Sequence, residues 1–299
     1  MSPSAALRFD KLYDLSGRVA LVTGGGTGIG LMISQGLAAS GAKVYITGRR
    51  IDVLLKVAQE WGKEVGAIIP LQMDVTNKES IMAGRKHIEE IEGRLHILVN
   101  NAGQVGPTSA FLTDPSAPER KDPNTFGLSL FNNESFESWS SLYNINTFSI
   151  FFVSTAFLGL LEKGSQDVSG FTSVVINITS ISGIIKLAQD HFCYNSAKAA
   201  ASHLTKMLST EFALKGCAVR VNAIAPGVYA SEMTYDAIVG ADATNGVGKP
   251  VVPVPAERAG SAVEMAGTAV YLASPAGCYM NGQELIIDGG YVAVNPAVM

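Results

Sequence analysis

Val19-Ala20-Leu21-Val22-Thr23-Gly24-Gly25-Gly26-Thr27-Gly28-Ile29-Gly30 is the stretch on which the fold turns. Its first half is apolar at consecutive positions. A strand of that kind needs cover on both faces, as in a parallel sheet with helices on either side. From Gly24 on, five of seven residues are glycine. Glycine lets the chain turn tightly and lets its backbone approach a ligand closely. A helix opening directly after such a turn offers free N–H groups and the positive end of its dipole, an arrangement that suits a pyrophosphate. A glycine cluster after a strand can also be a plain tight turn. Its place between a buried strand and a helix favours the phosphate reading.

Outward from this stretch the same alternation repeats. Further strands are expected at 43–47, 67–71, 95–100, 172–178, 218–224 and 284–288. Helical patterns lie between them near 29–39, 52–62, 78–92, 136–161, 194–215 and 262–273. Ile97-Leu98-Val99 is again apolar on both faces. The pattern predicts a doubly wound α/β fold with a seven-stranded parallel sheet and helices on both faces. No linker divides the chain, so 16–299 is expected to be one domain after a short N-terminal extension, 1–15. Two stretches, 104–133 and 228–257, lack a clear period and follow strand ends. Ligands of open parallel sheets bind beyond the carboxyl ends of the strands. Structureless loops of this length are usually functional or disordered. We read them as substrate loops, with inert insertions as the alternative.

The second strand ends Tyr45-Ile46-Thr47-Gly48-Arg49-Arg50. A dinucleotide enzyme that prefers NAD places a carboxylate here against the ribose 2′-hydroxyl. None is present, and Arg49 offers a cation suited to a 2′-phosphate. NADP(H) is therefore expected, against the alternative that Arg49 and Arg50 are a solvated turn. Asp74-Val75 follows the third strand and is a candidate adenine contact, or an N-cap for the next helix. Asn100-Asn101-Ala102-Gly103 follows the fourth strand, where small residues let a loop lie against the cofactor ribose.

Tyr194-Asn195-Ser196-Ala197-Lys198 opens a long helical pattern, and residues four apart share a face. Burial alone would raise the pKa of the Tyr194 phenol, whereas an adjacent ammonium, or an oxidised nicotinamide, would lower it. A phenol tuned toward neutrality can pass a proton to a carbonyl oxygen or take one from an alcohol. A Tyr and a Lys four apart are also a common helix-face pair. Upstream lies Thr179-Ser180-Ile181-Ser182, at a strand end. Ser180 could hydrogen-bond a substrate oxygen as charge develops, with Thr179 and Ser182 as rivals. Asn146 is a polar residue in an apolar segment, with Asn144 as its competitor.

Composition removes several classes. The chain has 299 residues, 47% hydrophobic and 16% charged, with a formal net charge of −4. That is enough apolar material for a core, and no clustered basic face suggests nucleic acid. Three cysteines and four histidines show no metal-ligand spacing, so no metal is expected. Cys193, beside Tyr194, reads as a packing residue. An odd cysteine count without a signal-like start suggests a reducing, cytoplasmic setting. No uninterrupted apolar run of about 18 residues appears, so no membrane span is expected.

Taken in order, T-G-x-x-x-G-x-G from Thr23, Asn100-Asn101-Ala102-Gly103, Asn146, Ser180, Y-x-x-x-K from Tyr194, Asn222-Ala223-Ile224-Ala225-Pro226-Gly227 and Asp288-Gly289-Gly290 resemble the motifs of short-chain dehydrogenases/reductases. The likeness covers about 15–292 and lies closest to fungal-type, 3-oxoacyl-carrier-protein-reductase-like members. It implies a single-domain Rossmann enzyme that reduces a carbonyl with NADPH. In that resemblance Tyr194 is the acid/base, Ser180 orients the carbonyl, Lys198 holds the nicotinamide ribose and lowers the Tyr194 pKa, and Asn146 holds a water in a proton relay. It further implies cofactor contacts from Thr23, Gly24, Gly26, Thr27, Gly28, Ile29, Gly30, Arg49, Asp74, Val75, Asn101, Ala102 and Gly103. Nicotinamide-side contacts would come from Pro226, Gly227, Val228 and Ser231, where the family more often has Thr at the last position. A homotetramer, or failing that a dimer, is expected on the same ground. The sequence departs from shorter members by about 20 extra residues before Asn146. Aromatic and aliphatic residues in the two loops (Phe111, Phe126, Phe131, Tyr229, Met233, Tyr235) suggest an apolar substrate, unless they only tack the loops down.

Overall fold

The computed structural model describes residues 7–62, 66–229 and 251–298. After a short helix α1 (Phe9–Leu12), strand β1 (Val19–Thr23) is buried at every position. Helix α2 (Gly28–Ala39), β2 (Lys43–Gly48), α3 (Ile51–Trp61), β3 (Ile68–Gln72), α4 (Lys78–Glu92) and β4 (Ile97–Asn100) follow. Helices α5 (Pro123–Asn133) and α6 (Phe136–Tyr143) precede a π-helical turn, Asn144–Phe148, that runs into α7 (Ser149–Asp167). Then come β5 (Ser173–Ile178), α8 (Phe192–Leu214), β6 (Val219–Pro226), α9 (Ala262–Ala273), β7 (Glu284–Ile287) and α10 (Tyr291–Val294).

The strands form one parallel sheet in the order β3-β2-β1-β4-β5-β6-β7. The order reverses between β1 and β4, which opens a crevice at the carboxyl ends of the strands. Each face carries its own core. On one face Ile33 and Leu37 of α2 pack with Met265 and Leu272 of α9 against Val22, Ile46 and Ile176. On the other, Val153, Phe157 and Leu161 of α7 and Leu208 of α8 pack against Leu21, Leu98 and Val175. Alternate residues of β1, β4 and β5 serve opposite cores, so their consecutive apolar runs follow directly from the two-sided cover.

Local chemistry fixes the helix ends. Asn77 caps α4 by accepting from Ser80 N, and Gly93 closes it in the left-handed region at φ 68°. Ser261 and Glu264 form a capping box on α9.

Two expectations are corrected. The stretch 104–133 is not structureless: 123–133 is a helix, capped by Asp122 accepting from Thr125 N and led by Pro123 at its first turn. The helix expected at 136–161 is interrupted by the π turn at Asn144 and runs on to Asp167. The joined segment Phe136–Asp167 is long and apolar enough to cross a membrane by length and composition alone, although Ser, Asn and Thr interrupt its apolar run. Half of its most apolar window is buried, and α7 contributes that face to the second core.

Candidate active site

The crevice holds a cleft of about 550 Å³ lined from both sides of the β1–β4 switch. At its phosphate end the turn after β1 is built almost wholly of backbone. Gly24 (φ 64°) and Gly28 (φ 51°) sit in the left-handed region that only glycine adopts freely. A Cβ on Gly30 would lie 2.2 Å from the Gly24 carbonyl oxygen and 2.4 Å from Asn101 Nδ2. No side chain caps the α2 N-terminus, and no acid lies in its first turn. Its free amides therefore face the cleft without a competing anion.

Thr23 and Asn101 lock this turn to the loop after β4. The Thr23 hydroxyl accepts from Asn101 N (3.0 Å) and Ala102 N (3.1 Å), while Asn101 Nδ2 donates to the carbonyls of Thr23 (2.9 Å) and Gly24 (3.1 Å). Thr23, Asn101 and Ala102 thus come together; Asn101, Ala102 and Gly103 line the cleft, whereas Thr23 is buried and braces the turn without lining it. Asn100 turns inward instead, donating to Ser154 Oγ and Asn177 Oδ1.

At the end of β2, Arg49 is exposed on the rim of the cleft. Its charge helps hold the Asp74 carboxyl below its usual range. Burial raises that pKa, but hydrogen bonds from the Thr76 side chain and amide, and then Arg49, bring it down. Asp74 is no N-cap, since Asn77 fills that role. It accepts instead from Thr76 and lines the cleft with Val75. No carboxylate from the end of β2 lines the rim. Thr47, the last residue before Gly48, was not singled out from the sequence. It is fully buried, lines the cleft, and its hydroxyl has no partner. A polar residue in an otherwise apolar strand was the available signal.

The catalytic end is made of side chains. Ser180 follows β5, and Tyr194 and Lys198 project from the first turns of α8. The Tyr194 and Ser180 hydroxyls are hydrogen-bonded. Thr179 is spent elsewhere, donating to the Ile224 carbonyl (3.0 Å) and Glu284 (2.7 Å). Ser182 Oγ turns to Gln189 (3.2 Å). Of the three hydroxyls, Ser180 alone meets Tyr194 in these contacts. Lys198 is buried, its Nζ 5.7 Å from the Tyr194 ring centroid and 2.8 Å from the Ile178 carbonyl, to which it donates. Burial lowers the Lys198 ammonium to about 8.

Tyr194 differs from expectation. Burial raises its pKa, and the bond to Ser180 pulls it back only in part. Desolvation of the phenol therefore outweighs the lowering expected from a neighbouring ammonium, and Lys198 Nζ itself donates to the Ile178 carbonyl.

Asn146 is buried in the π turn, whereas Asn144 is exposed. Asn146 Oδ1 accepts from Gln104 N and its Nδ2 donates to Gln104 O, both at 2.9 Å. The side chain therefore pins the loop after Gly103, and Gln104 joins the site as a residue the sequence did not mark. Cys193 is buried with Leu142 and Ala197, and burial with the Glu134 charge pushes its thiol up to about 11. It is a packing residue. Pro226 and Gly227 line the cleft at the end of β6. Val228 borders a neighbouring hollow instead. Ser231, Met233 and Tyr235 lie outside the described residues. Phe111 and Phe126 pack edge to face on each other, Phe131 is exposed, and Tyr229 is buried against the cleft. Among the described residues no group of His, Cys, Asp or Glu is placed to hold a metal.

Residues 18–239 match the family model for the short chain dehydrogenases. The chain is 36% identical over 310 residues to the short-chain dehydrogenase/reductase VdtF of Byssochlamys spectabilis, covering 98% of each protein. It is 32% identical over 281 residues to the rhamnolipids biosynthesis 3-oxoacyl-[acyl-carrier-protein] reductase of Pseudomonas aeruginosa, covering 93% of this chain and 98% of that protein. Among solved structures, the Pseudomonas aeruginosa RhlG/NADP active-site complex superposes with a TM-score of 0.79 at 31% identity, covering 94% of this chain and 98% of the other.

Proposed function

The chain belongs to the short-chain dehydrogenases, and from that premise we propose that it is an NADP(H)-dependent oxidoreductase that reduces a ketone or aldehyde to an alcohol. The observation that carries this reading is the meeting of Tyr194, Ser180 and Lys198 at the catalytic end of a cleft whose other end is a glycine turn. The cleft fits a dinucleotide on its own geometry. Gly24, Gly26 and Gly28 line it with bare backbone, the α2 N-terminus is uncapped, and the buried Thr47 hydroxyl lacks a partner. Arg49 at the rim, with no carboxylate at the end of β2 to meet a ribose 2′-hydroxyl, favours the 2′-phosphate of NADP. The solved NADP complex of a relative agrees with that choice.

When bound, the dinucleotide supplies the hydride. The residues of this chain supply the proton and the positioning. Tyr194, held protonated by burial, donates its phenolic proton to the carbonyl oxygen as charge develops there. Ser180 hydrogen-bonds the same oxygen and steadies the phenol. Lys198 holds the ribose of the nicotinamide half and favours the phenolate left behind. Asn146, through its clasp on Gln104, fixes the loop wall and borders the route by which Tyr194 is reprotonated. Val105, Ile145 and Tyr229 line the cleft and favour an apolar substrate. All three cysteines are free, in keeping with a reducing cytoplasm; targeting to an oxidising compartment would count against it. Exposed Phe148, Phe151 and Phe152 on the π turn and α7 give a homo-oligomer, tetramer or dimer, an apolar face to bury; a monomeric mass in light scattering would exclude it. The catalytic domain is 16–299, preceded by a short extension.

Incubation with NADPH and a panel of apolar ketones tests the reading. One alcohol formed per NADPH consumed is expected. Product without net NADPH consumption would make the reaction an isomerisation or cyclisation. Failure to bind any dinucleotide would overturn the oxidoreductase reading.

A further inference from the structure

Two non-glycine residues among those described have a positive φ, Gln189 (58°) and Glu257 (53°). A left-handed conformation is costly for a residue with a side chain and persists only where its surroundings over-determine it. At Gln189 those surroundings are specific. Its Oε1 accepts from Ser182 Oγ at 3.2 Å, and its side chain hydrogen-bonds the hydroxyl of Tyr291, which is 1% exposed. Ser182 in turn donates its backbone N–H to Ser180 Oγ at 3.1 Å. A chain of contacts thus runs from the serine that touches Tyr194, through Gln189, to the C-terminal segment.

That segment grips the same loop along its length. Ile185 pairs antiparallel with Ala297, Lys186 N donates to Pro296 O (2.8 Å), and Val298 N donates to Ile184 O (2.8 Å). Beneath these bonds Ile181, Ile185, Val254 and Tyr291 form a separate small core. On its far side the segment holds the described end of the 228–257 stretch. The buried Asn295 accepts from Val251 N (2.8 Å) and Val252 N (2.9 Å) and donates to Val252 O (3.0 Å).

We propose that Gln189 is a positioning residue for the reaction, tying the loop that carries Ser180 to a C-terminal strap, 291–298, that also fixes 251–254. The proposal rests on the oxidoreductase reading for its effect on turnover, but not for its effect on the loop. Ser180 must keep its oxygen within hydrogen-bond reach of both Tyr194 and the substrate, and a shift of about 1 Å at such a site can cost about 100-fold in rate. The strap supplies the restraint that a 3₁₀ turn, Ile181–Gly183, does not supply alone.

The test compares full-length wild type with Gln189→Gly, Gln189→Glu and Tyr291→Phe. Glycine adopts the same φ freely, so Gln189→Gly removes the tie without adding backbone strain. Hydrogen exchange at 181–185 is read first, because it needs neither substrate nor dinucleotide. Exchange there should quicken about tenfold or more in Gln189→Gly and in Tyr291→Phe, with β1 and α2 unchanged. Gln189→Glu, which keeps an acceptor for Ser182, should stay nearer wild type. In turnover, kcat should fall about 10- to 100-fold while KM for NADPH stays within about twofold. Unchanged exchange at 181–185, or unchanged kcat, overturns the proposal. A wild type that turns over no carbonyl defeats the oxidoreductase reading instead, and the exchange result still decides the strap.

Discussion

The two ends of the cleft are made of different material. The phosphate end is backbone: glycines in the left-handed region, helix amides, and Thr23 and Asn101 holding the turn closed. The catalytic end is ionisable side chain taken out of water: Tyr194 pushed up and Lys198 pulled down by burial. Backbone dipoles do not titrate and need no protonation state, which suits the binding of a constant ligand. Buried phenol and ammonium are costly, and that cost is what makes them responsive to a reacting oxygen. One end should therefore fail by steric change and the other by charge change.

The largest expected effect is at the catalytic end. Tyr194→Phe should lower kcat by about 10²- to 10⁴-fold, the usual worth of a general acid. NADPH affinity by calorimetry should stay within a few-fold; a loss of binding as large as the loss of rate would erase the division between the ends.

Lys198→Met should abolish most activity yet stabilise the fold. The folded pKa of about 8 lies below the ordinary lysine value of 10.5, so the folded state favours the neutral amine. Below pH 8 the wild type therefore carries the full penalty of a buried ammonium, and the penalty shrinks as pH rises toward the unfolded pKa. The gain from Met should be up to about 3 kcal/mol at neutral pH and vanish above about pH 10.5. Denaturant unfolding near neutral pH and near the unfolded lysine pKa reads it; an equal gain at both would mean packing, not charge.

At the phosphate end, Gly30→Ala places a Cβ against the Gly24 carbonyl and Asn101. It should destabilise by about 1–3 kcal/mol and weaken dinucleotide binding without moving any pH profile. Thermal unfolding with and without NADPH checks both. Arg49→Ala is the mildest. NADPH affinity should fall about 10- to 100-fold while NADH affinity holds, since one charge-assisted contact is lost. Equal affinity of the wild type for both dinucleotides would remove the 2′-phosphate role from Arg49.

The phosphate end was legible because its chemistry is local. A run of glycines between an apolar strand and a helix can do few things, and the missing carboxylate after β2 was visible by inspection. The spacing of Tyr194 and Lys198 was legible for the same reason, since one helix turn sets it. Helix α5 was hidden by its Ser and Asn content, although the pair Asp122-Pro123 is itself a helix-start signal.

Choices among neighbours were not legible. Thr179, Ser180 and Ser182 are equivalent as sequence. They part only because Ile224, Glu284 and Gln189, distant along the chain or across a turn, claim the other two hydroxyls. Asn146 and Asn144 part only by which side of a π turn faces Gln104. The Tyr194 pKa went against expectation because burial of the phenol outweighs its bond to Ser180, and that burial requires β5 and α8 to be packed. The sequence by itself determined the strand–glycine–helix unit, the alternation that makes the parallel sheet, and which residues carry chemistry, because these follow from chain geometry over a few residues. The tertiary structure alone decided which hydroxyl meets Tyr194, how far burial shifts each titrating group, and that the C-terminal strap grips the Ser180 loop. Hydrogen-bond partners and desolvation are set by groups brought together from across the chain.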